Sequence, residues 1–243
     1  MIPQSAAQVE PLNLIKHTSL AEDWRTQLRD AYRTPQQLLS ALGFSQTQQA
    51  DLLAHDQGFS TLVPQAFAQK MRPQDPTDPL LLQVLPQVQE AITDPDFNDD
   101  PLQEASFNPM PGIVHKYQGR ALLIAAGHCA INCRYCFRRH YPYSDQKRAQ
   151  NEWQQSLSYI EKHPDIEEII LSGGDPLALT DPQLFELITA IEAISHVKRL
   201  RIHSRLPIVL PQRITPELCQ RVERSRLTCR MTVSYTILTP PNN

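Results

Sequence analysis

The segment ALLIAAGHCAINCRYCFRRHYPY, residues 121–143, joins a continuous apolar run to a cluster of cysteines. Its first part, residues 121–126, predicts a buried strand, because uninterrupted apolar side chains suit a sheet that is covered on both faces. Cys129, Cys133 and Cys136 follow with the spacing C-x3-C-x2-C. Three thiols this close in sequence can converge on one centre without the closure of a long loop. The segment therefore predicts a metal site at the end of a buried strand.

Strand and helix patterns alternate downstream of this segment. Strands are predicted over 167–172, 197–203 and 228–235, and helices over 151–163, 181–194 and 215–225. This alternation is typical of parallel strands joined by right-handed crossovers, in either an open doubly wound sheet or a barrel. In both architectures the chemistry lies at the C-terminal ends of the strands. That rule selects the loop from Gly127, the residues Ser172, Gly173, Gly174 and Asp175, and the segment 203–205.

Residues 1–110 have a different pattern, with short helical segments separated by Pro- and Gln-rich joints. Helices are predicted over 21–33, 34–43, 46–56, 64–72 and 79–92 from apolar spacing and from cap signals such as Thr34-Pro35. No apolar run approaches the roughly 20 residues that span a bilayer, and the start does not resemble a signal peptide. We therefore expect a helical region over 1–110, a β/α core over 111–243, no membrane association and a cytoplasmic location.

The charge and the cysteine count narrow the class of protein. A net charge of −3 argues against a nucleic-acid binder that relies on overall positive charge. The five cysteines are an odd number and three of them are clustered, which argues against a disulfide scaffold. The spacing leaves two centres open: an iron–sulfur cluster with one iron free for a ligand, or a structural zinc with His128 or His140 as fourth ligand. Cys219 and Cys229 are predicted to be ordinary buried thiols.

The cysteine loop after the first strand of a β/α array resembles the radical S-adenosylmethionine (SAM) superfamily. Longer stretches are similar to the lysine 2,3-aminomutase family, namely 115–120, 127–143, LSGGDPL at 171–177 and RIHSRLPIVLPQRIT at 201–215. The similarity covers residues 12–233 and is to the branch that serves β-lysylation of translation elongation factor P. This resemblance implies an α/β fold, a partial TIM-type (β/α) radical SAM barrel preceded by an N-terminal helical region.

The same resemblance implies three cofactors: a 4Fe–4S cluster, SAM and pyridoxal 5′-phosphate (PLP). Cys129, Cys133 and Cys136 would hold the cluster, whose open iron would chelate SAM. One-electron reduction would give a 5′-deoxyadenosyl radical, and the amino group of L-lysine would migrate from C2 to C3 to give β-lysine. An electron donor such as flavodoxin or ferredoxin is implied as a partner. No direct nucleic-acid contact is expected, and homo-oligomerisation is left open.

Further positions follow from the family pattern. The SAM contacts are expected from Ser172, Gly173, Gly174, Asp175 and Arg205, with Arg201 and Arg213 as further candidates. The PLP phosphate is expected at Lys116, Tyr117 and Arg120. Arg138 would clamp the α-carboxylate of lysine, since the guanidinium fork binds carboxylates bidentately. The residues alone also allow purely structural interpretations. Gly173 and Gly174 could form a simple turn, residues 116–120 could be the solvent-exposed start of a strand, and the arginines could form salt bridges at the surface.

The chain departs from the family pattern after TCRMTV, where it reads SYTILTPPNN, residues 234–243. Only about four β/α units fit, and no position matches the lysine that binds PLP, so no catalytic residue is assigned. Lys147 and Lys198 lie outside the motif context. The hypothesis at this stage is a C-terminally truncated or frame-shifted product whose own activity is left open.

Two other functions remain compatible with the residues. One is a radical SAM enzyme that does not use PLP. The other, from a different class, is a zinc-stabilised module that binds RNA by stacking and charge. Its binding patch would consist of Arg134, Tyr135, Arg138, Arg139 and Tyr141.

Overall fold

The structure is a computed structural model that describes residues 23–54, 60–87, 98, 100–136, 138 and 152–233. The helices are α1 (Trp24–Arg29), α2 (Pro35–Ala41), α3 (Gln46–Leu53), α4 (Gln65–Ala68), α5 (Glu152–Glu161), α6 (Asp181–Glu192), α7 (Leu206–Val209) and α8 (Pro216–Glu223). The strands are β1 (Ile113–Tyr117), β2 (Arg120–Ala126), β3 (Glu168–Gly173), β4 (Arg199–Ser204) and β5 (Thr228–Val233). Predictions for Arg139, His140, Tyr141, Lys147 and the stretch 234–243 lie outside the described residues.

The five strands form one sheet in the order β1-β2-β3-β4-β5. Strands β2 to β5 are parallel, and helices α5, α6 and the pair α7–α8 lie in the three connections between them. The predicted α/β fold is confirmed, and the described residues supply four parallel strands of a β/α array. The sequence did not predict β1, which pairs with β2 in antiparallel fashion across a tight turn. Gly119 in that turn has φ 78°, a conformation that favours glycine.

The two faces of the sheet differ in chemistry. Leu123, Leu171 and Ile202 pair in one row and are buried in the same apolar cluster as the inner side of α6. Side chains alternate along a strand, so the neighbouring residues point to the opposite face. That opposite face, named here the polar face, carries Glu168, Ser172, Arg201 and His203. In a β/α barrel the helices cover the outside, so the polar face is the inner one.

Helices α2, α3 and α4 begin within one residue of their predicted starts, whereas α1 begins at Trp24 instead of residue 21, and several helices are shorter than predicted. Thr34 and Gln37 form a reciprocal capping box at the start of α2, with Pro35 in the first helical position. The helix predicted over 21–33 ends at Arg29, because Tyr32 leaves it and pairs with Val63 in an isolated bridge. The prediction for 64–72 contracts to α4.

The helix predicted over 79–92 is wrong in its described part, where only the 3₁₀ turn Leu81–Gln83 forms. The Asp78 carboxylate accepts hydrogen bonds from the backbone N–H groups of Leu80 and Leu81, at 2.8 and 2.9 Å. These bonds cap the start of the turn, and Pro86, which lacks a backbone N–H, does not let it continue as a regular helix.

One cluster of buried apolar side chains runs through both parts of the chain. It includes Trp24 and Leu38 from the N-terminal region as well as Ile113, Leu184 and Val209 from the β/α core. The division at residues 110 and 111 stays a prediction. Among the described residues, no helix combines the length and apolarity needed to cross a membrane.

Candidate metal and cofactor site

The C-terminal ends of β2, β3 and β4 lie at one edge of the sheet, because these strands are parallel and adjacent. The cysteine loop, residues 127–136, leaves β2 at this edge. Ala126 pairs with Gly173, so the loop begins beside the segment 172–175. The three places that the strand-end rule selects from the sequence are therefore neighbours in the structure.

Gly174 docks the end of β3 onto the backbone of the cysteine loop. Its N–H donates to the Ala126 carbonyl at 2.7 Å, and the N–H of Asp175 donates to the His128 carbonyl at 2.9 Å. A Cβ atom at position 174 would lie 2.2 Å from the His128 carbonyl oxygen and 2.5 Å from its carbon. At Gly173, with φ 107°, a Cβ would lie 2.7 Å from the Ala126 oxygen. Both glycines are thus required for contact between strand end and loop, and a simple turn does not account for them.

The N-terminal region holds the same loop from another side. The N–H of Asn132 donates to the Leu62 carbonyl at 3.0 Å. The N–H of Arg134 donates to the Gln83 carbonyl at 2.8 Å, and Arg134 Nε donates to the Leu82 carbonyl at 2.9 Å. The loop is therefore fixed by backbone contacts to elements that are distant in sequence.

The three thiols of the loop are half-buried, and Cys133 and Cys136 influence Cys129. Burial raises the pKa of Cys129 far above its ordinary value, and Asp175, Cys133 and Cys136 contribute in the same direction. Burial also raises the pKa of Cys133, while the charge of Arg205 opposes the rise. None of the three forms a disulfide. In the described part of the chain, no three His, Cys, Asp or Glu side chains form a group that could hold a metal ion.

Asp175 links the ends of β3 and β4. Its Oδ1 accepts hydrogen bonds from Ser204 Oγ at 2.7 Å and from the Leu177 N–H at 3.0 Å. Its Oδ2 accepts from the N–H groups of Arg205 and Leu206, at 2.8 and 3.2 Å. Burial raises the pKa of this carboxyl, and those hydrogen bonds act against the rise. The Asp175 carboxylate thus accepts four hydrogen bonds within the protein. Its contact with the amino group of SAM stays a prediction.

Arg205 reaches from the end of β4 to the cysteine loop. Its Nη1 donates to Cys133 Sγ and its Nη2 donates to Gln83 Oε1. The guanidinium carbon lies 5.4 Å from the ring centre of Tyr135 and 5.8 Å from that of Phe67. Nothing in the sequence indicates that Gln83 is a partner of Arg205, because Gln83 lies between apolar residues and prolines in a segment that contains no motif.

Arg138 is buried, which excludes the interpretation as a surface arginine. Its Nε and Nη2 donate to the two carboxylate oxygens of Glu104, at 2.9 and 2.6 Å. Its Nη1 donates to Ser172 Oγ at 2.9 Å. The Nε–Nη2 edge of the guanidinium thus binds the Glu104 carboxylate in a bidentate manner. The role toward the substrate carboxylate stays a prediction, and Glu104 is a partner that the sequence did not indicate.

Lys116, Tyr117 and Arg120 come together as predicted, at the hairpin between β1 and β2. The Arg120 guanidinium carbon lies 4.7 Å from the Tyr117 ring centre, and Lys116 Nζ donates to the Leu102 carbonyl at 3.0 Å. The hairpin lies at the end of β2 opposite to Cys129. The seven residues of β2 span roughly 20 Å at about 3.3 Å per residue. PLP phosphate binding at the hairpin stays a prediction.

Two of the remaining predictions need correction. Arg213 is fully buried; its Nε donates to the Leu177 carbonyl at 2.7 Å, and it forms an ion pair with Asp181 at 2.7 Å. It is therefore not a surface salt link, and its contact with SAM stays a prediction. Cys219 is exposed, whereas Cys229 is half-buried as an ordinary thiol would be.

The polar face holds one further group that the family pattern did not single out. His203 Nε2 is buried and has no hydrogen-bond partner among the described residues. Burial and the charges of Arg201 and Arg138 lower the pKa of His203, and Glu168 opposes this. Arg201 is itself paired with Glu168 at 2.6 Å. The imidazole therefore faces the interior in its neutral form at pH 7.

This pKa shift predicts acid sensitivity. The unfolded chain binds a proton on His203 as the pH falls through the ordinary histidine pKa near 6.5, while the folded chain resists it. The free energy of unfolding should fall below that pH, by at most about 1.4 kcal/mol per pH unit for one proton. Urea titrations between pH 5 and 8 test this. A His203→Gln variant should lose part of the slope, and an unchanged slope would contradict the assignment.

The chain matches the family described as the radical SAM superfamily over residues 123–238. The three cysteines on the loop after the first parallel strand fall within this radical SAM domain. The chain is also homologous to L-lysine 2,3-aminomutases. It is 47% identical to that of Escherichia coli (strain K12) over 214 residues, 87% of this chain and 62% of the relative.

Other relatives carry the same name. The L-lysine 2,3-aminomutase of Haemophilus influenzae is 45% identical over 221 residues, 91% of this chain and 64% of the relative. That of Clostridium subterminale is 32% identical over 214 residues, 87% of this chain and 51% of the relative. The chain thus spans less than two thirds of the length of these curated relatives.

The family uses a 4Fe–4S cluster, SAM and PLP. The donor chemistry of the loop fits the cluster: three free thiols lie on one loop, and the Arg205 cation beside Cys133 offsets negative charge on the sulfurs. Iron must displace the thiol protons, so cluster loading is coupled to deprotonation.

Proposed function

We propose that this chain carries the cluster- and SAM-binding machinery of an isomerase that converts L-lysine to β-lysine. The amino group would move from C2 to C3. The observation that carries the proposal is the cysteine loop docked on Gly174, in a chain 47% identical to an L-lysine 2,3-aminomutase. Because the strand end and the loop share backbone contacts, the three cysteines would lie on one fixed loop at the edge where β/α folds carry their chemistry.

Cys129, Cys133 and Cys136 are proposed as the cluster ligands. When bound, the cluster and SAM supply one-electron radical chemistry, and PLP supplies a carrier for the migrating amino group. The protein's own task is to fix the loop. Residues 62 and 82–83 hold it from one side and Gly174 from the other, which would fix the positions of the ligands.

Arg138 is proposed to bind the α-carboxylate of lysine. Glu104 already occupies its Nε–Nη2 edge, and Ser172 accepts from Nη1. The substrate carboxylate would approach Arg138 from the polar face, on which Ser172 also lies. His203 lies on that face and offers a neutral imidazole nitrogen to a polar ligand.

The other contacts are proposed from the family pattern. Ser172, Gly173, Gly174, Asp175 and Arg205 would lie near SAM, and Lys116, Tyr117 and Arg120 would bind the PLP phosphate. The substrate is L-lysine, and the reductant is a small electron carrier such as flavodoxin or ferredoxin. The β-lysine would serve elongation factor P modification in the cytoplasm.

The experiment is anaerobic reconstitution of the chain with iron and sulfide, followed by addition of dithionite, SAM, PLP and L-lysine. We expect mass spectrometry to detect 5′-deoxyadenosine, the product that requires only the cluster, SAM and the reductant. Cys133→Ala should abolish this product, whereas Cys219→Ala, at an exposed thiol outside the loop, should leave it unchanged.

Three outcomes contradict the proposal in different ways. A colourless protein that binds zinc favours the zinc-stabilised module. 5′-Deoxyadenosine whose amount does not respond to L-lysine and PLP favours a different radical SAM enzyme. A fully loaded chain that forms no 5′-deoxyadenosine contradicts both enzyme assignments.

A further inference from the structure

Arg205 is the residue that joins the cysteine loop to the two other parts of the site. Its backbone N–H is fixed on Asp175 Oδ2 at 2.8 Å, just beyond the end of β4. Its side chain crosses to the loop, where Nη1 donates to Cys133 Sγ. The guanidinium is therefore anchored at its backbone and directed at a proposed ligand sulfur.

The orientation of that guanidinium is set by groups from the N-terminal region. Gln83 is almost fully buried, at 2% exposure, and its Oε1 accepts from Arg205 Nη2. The backbone carbonyl of Gln83 also accepts from the N–H of Arg134 in the cysteine loop, at 2.8 Å. The rings of Phe67 and Tyr135 flank the cation. One buried residue thus holds both the loop and the arginine that contacts it.

A cation that donates to a ligand sulfur affects a cluster through its charge. One-electron reduction adds a negative charge to the cluster, and a nearby positive donor stabilises the reduced form more than the oxidised form. Hydrogen bonds to ligand sulfurs and local charge are among the factors that set cluster potentials. Loss of the guanidinium should therefore make the cluster harder to reduce.

We propose that Arg205, oriented by Gln83, is a positioning residue that donates to the cluster ligand Cys133 and raises the reduction potential of the cluster. This inference rests on the cluster assignment made under the proposed function. It is distinct from contact with SAM, because it acts on the cluster when SAM is absent. A role confined to SAM would leave the potential of the SAM-free cluster unchanged.

The test is a redox titration of the anaerobically reconstituted 243-residue chain without SAM, followed by electron paramagnetic resonance. The variants are Arg205→Gln, Arg205→Lys and Gln83→Met, which preserves side-chain length but removes the amide acceptor. Arg224→Gln, at an exposed position after α8, is the matched control. Iron and sulfide analysis ensures that only fully loaded samples are compared.

We expect Arg205→Gln to shift the midpoint potential to more negative values. Gln83→Met should shift it in the same direction by less, Arg205→Lys should lie between Arg205→Gln and the unmodified chain, and Arg224→Gln should have no effect. An Arg205→Gln chain with full iron content and an unshifted midpoint overturns the inference. If Arg205→Gln does not retain the cluster, an unshifted and fully loaded Gln83→Met chain overturns it instead. A chain that binds no cluster overturns both this inference and the proposed function.

Discussion

Replacing Gly174 by alanine is expected to abolish cluster loading and to lower the free energy of unfolding by about 3 kcal/mol. The added Cβ would lie 2.2 Å from the His128 carbonyl oxygen and 2.5 Å from the carbonyl carbon. These atoms are backbone, so no side-chain rotation relieves the overlap. The strand end and the cysteine loop must separate, which moves the proposed cluster ligands. Iron and sulfide content after reconstitution and urea denaturation measure the two effects.

Gly119→Ala is the matched control for this prediction. The nearest atom to a Cβ at position 119 lies 3.8 Å away, so only the strain of its positive φ applies. That strain costs about 1–2 kcal/mol, and the position is at the far end of β2. Gly119→Ala should therefore load iron normally. Normal loading of the Gly174→Ala chain as well would show that the docking contact does not position the loop.

Replacing Glu104 by glutamine is expected to destabilise the chain by about 3 kcal/mol. Glu104 and Arg138 form an ion pair at 2.6 Å with side chains only 10% and 6% exposed. Removing one partner of a buried ion pair leaves an uncompensated charge, which typically costs about 3–5 kcal/mol. Glutamine retains one acceptor oxygen, so the loss should fall at the lower end. Urea denaturation at pH 7 measures it.

A double-mutant cycle separates the ion pair from general packing effects. Glu104→Leu and Arg138→Met each leave one buried charge, while the double variant leaves neither. Replacing both members of a buried pair by apolar groups is often close to neutral. The double variant should therefore be less destabilised than the sum of the single variants, by about 2 kcal/mol. Strict additivity would show that the pair contributes no coupling.

The parallel core could be predicted because its signals are local. The apolar run at 121–126, the helix predicted over 181–194 and the regular alternation all correspond to observed elements. The strand-end rule then placed the cysteine loop, the segment 172–175 and residues 203–205 together without any knowledge of contacts. Since parallel strands share one C-terminal edge, this part of the site follows from order along the chain.

What the sequence missed depends on contacts between distant residues. Glu104 and Arg138 are 34 positions apart, and Gln83 and Arg205 are 122 apart. No periodicity or motif connects such pairs. The glycines were predicted to contact SAM, and their close approach to the His128 and Ala126 backbone is a further role that the sequence did not indicate. The strand-end rule did select residue 203, so the unpartnered His203 nitrogen lies where a functional group was to be expected.

The central claim is that the cysteine loop holds a cluster on which SAM binds. Electron paramagnetic resonance of the reconstituted, dithionite-reduced chain, recorded before and after addition of SAM, tests it most directly. We predict a reduced 4Fe–4S signal that changes shape when SAM is added and that is absent from the Cys133→Ala chain. A signal that SAM does not alter, or a full cluster signal in the Cys133→Ala chain, would contradict it.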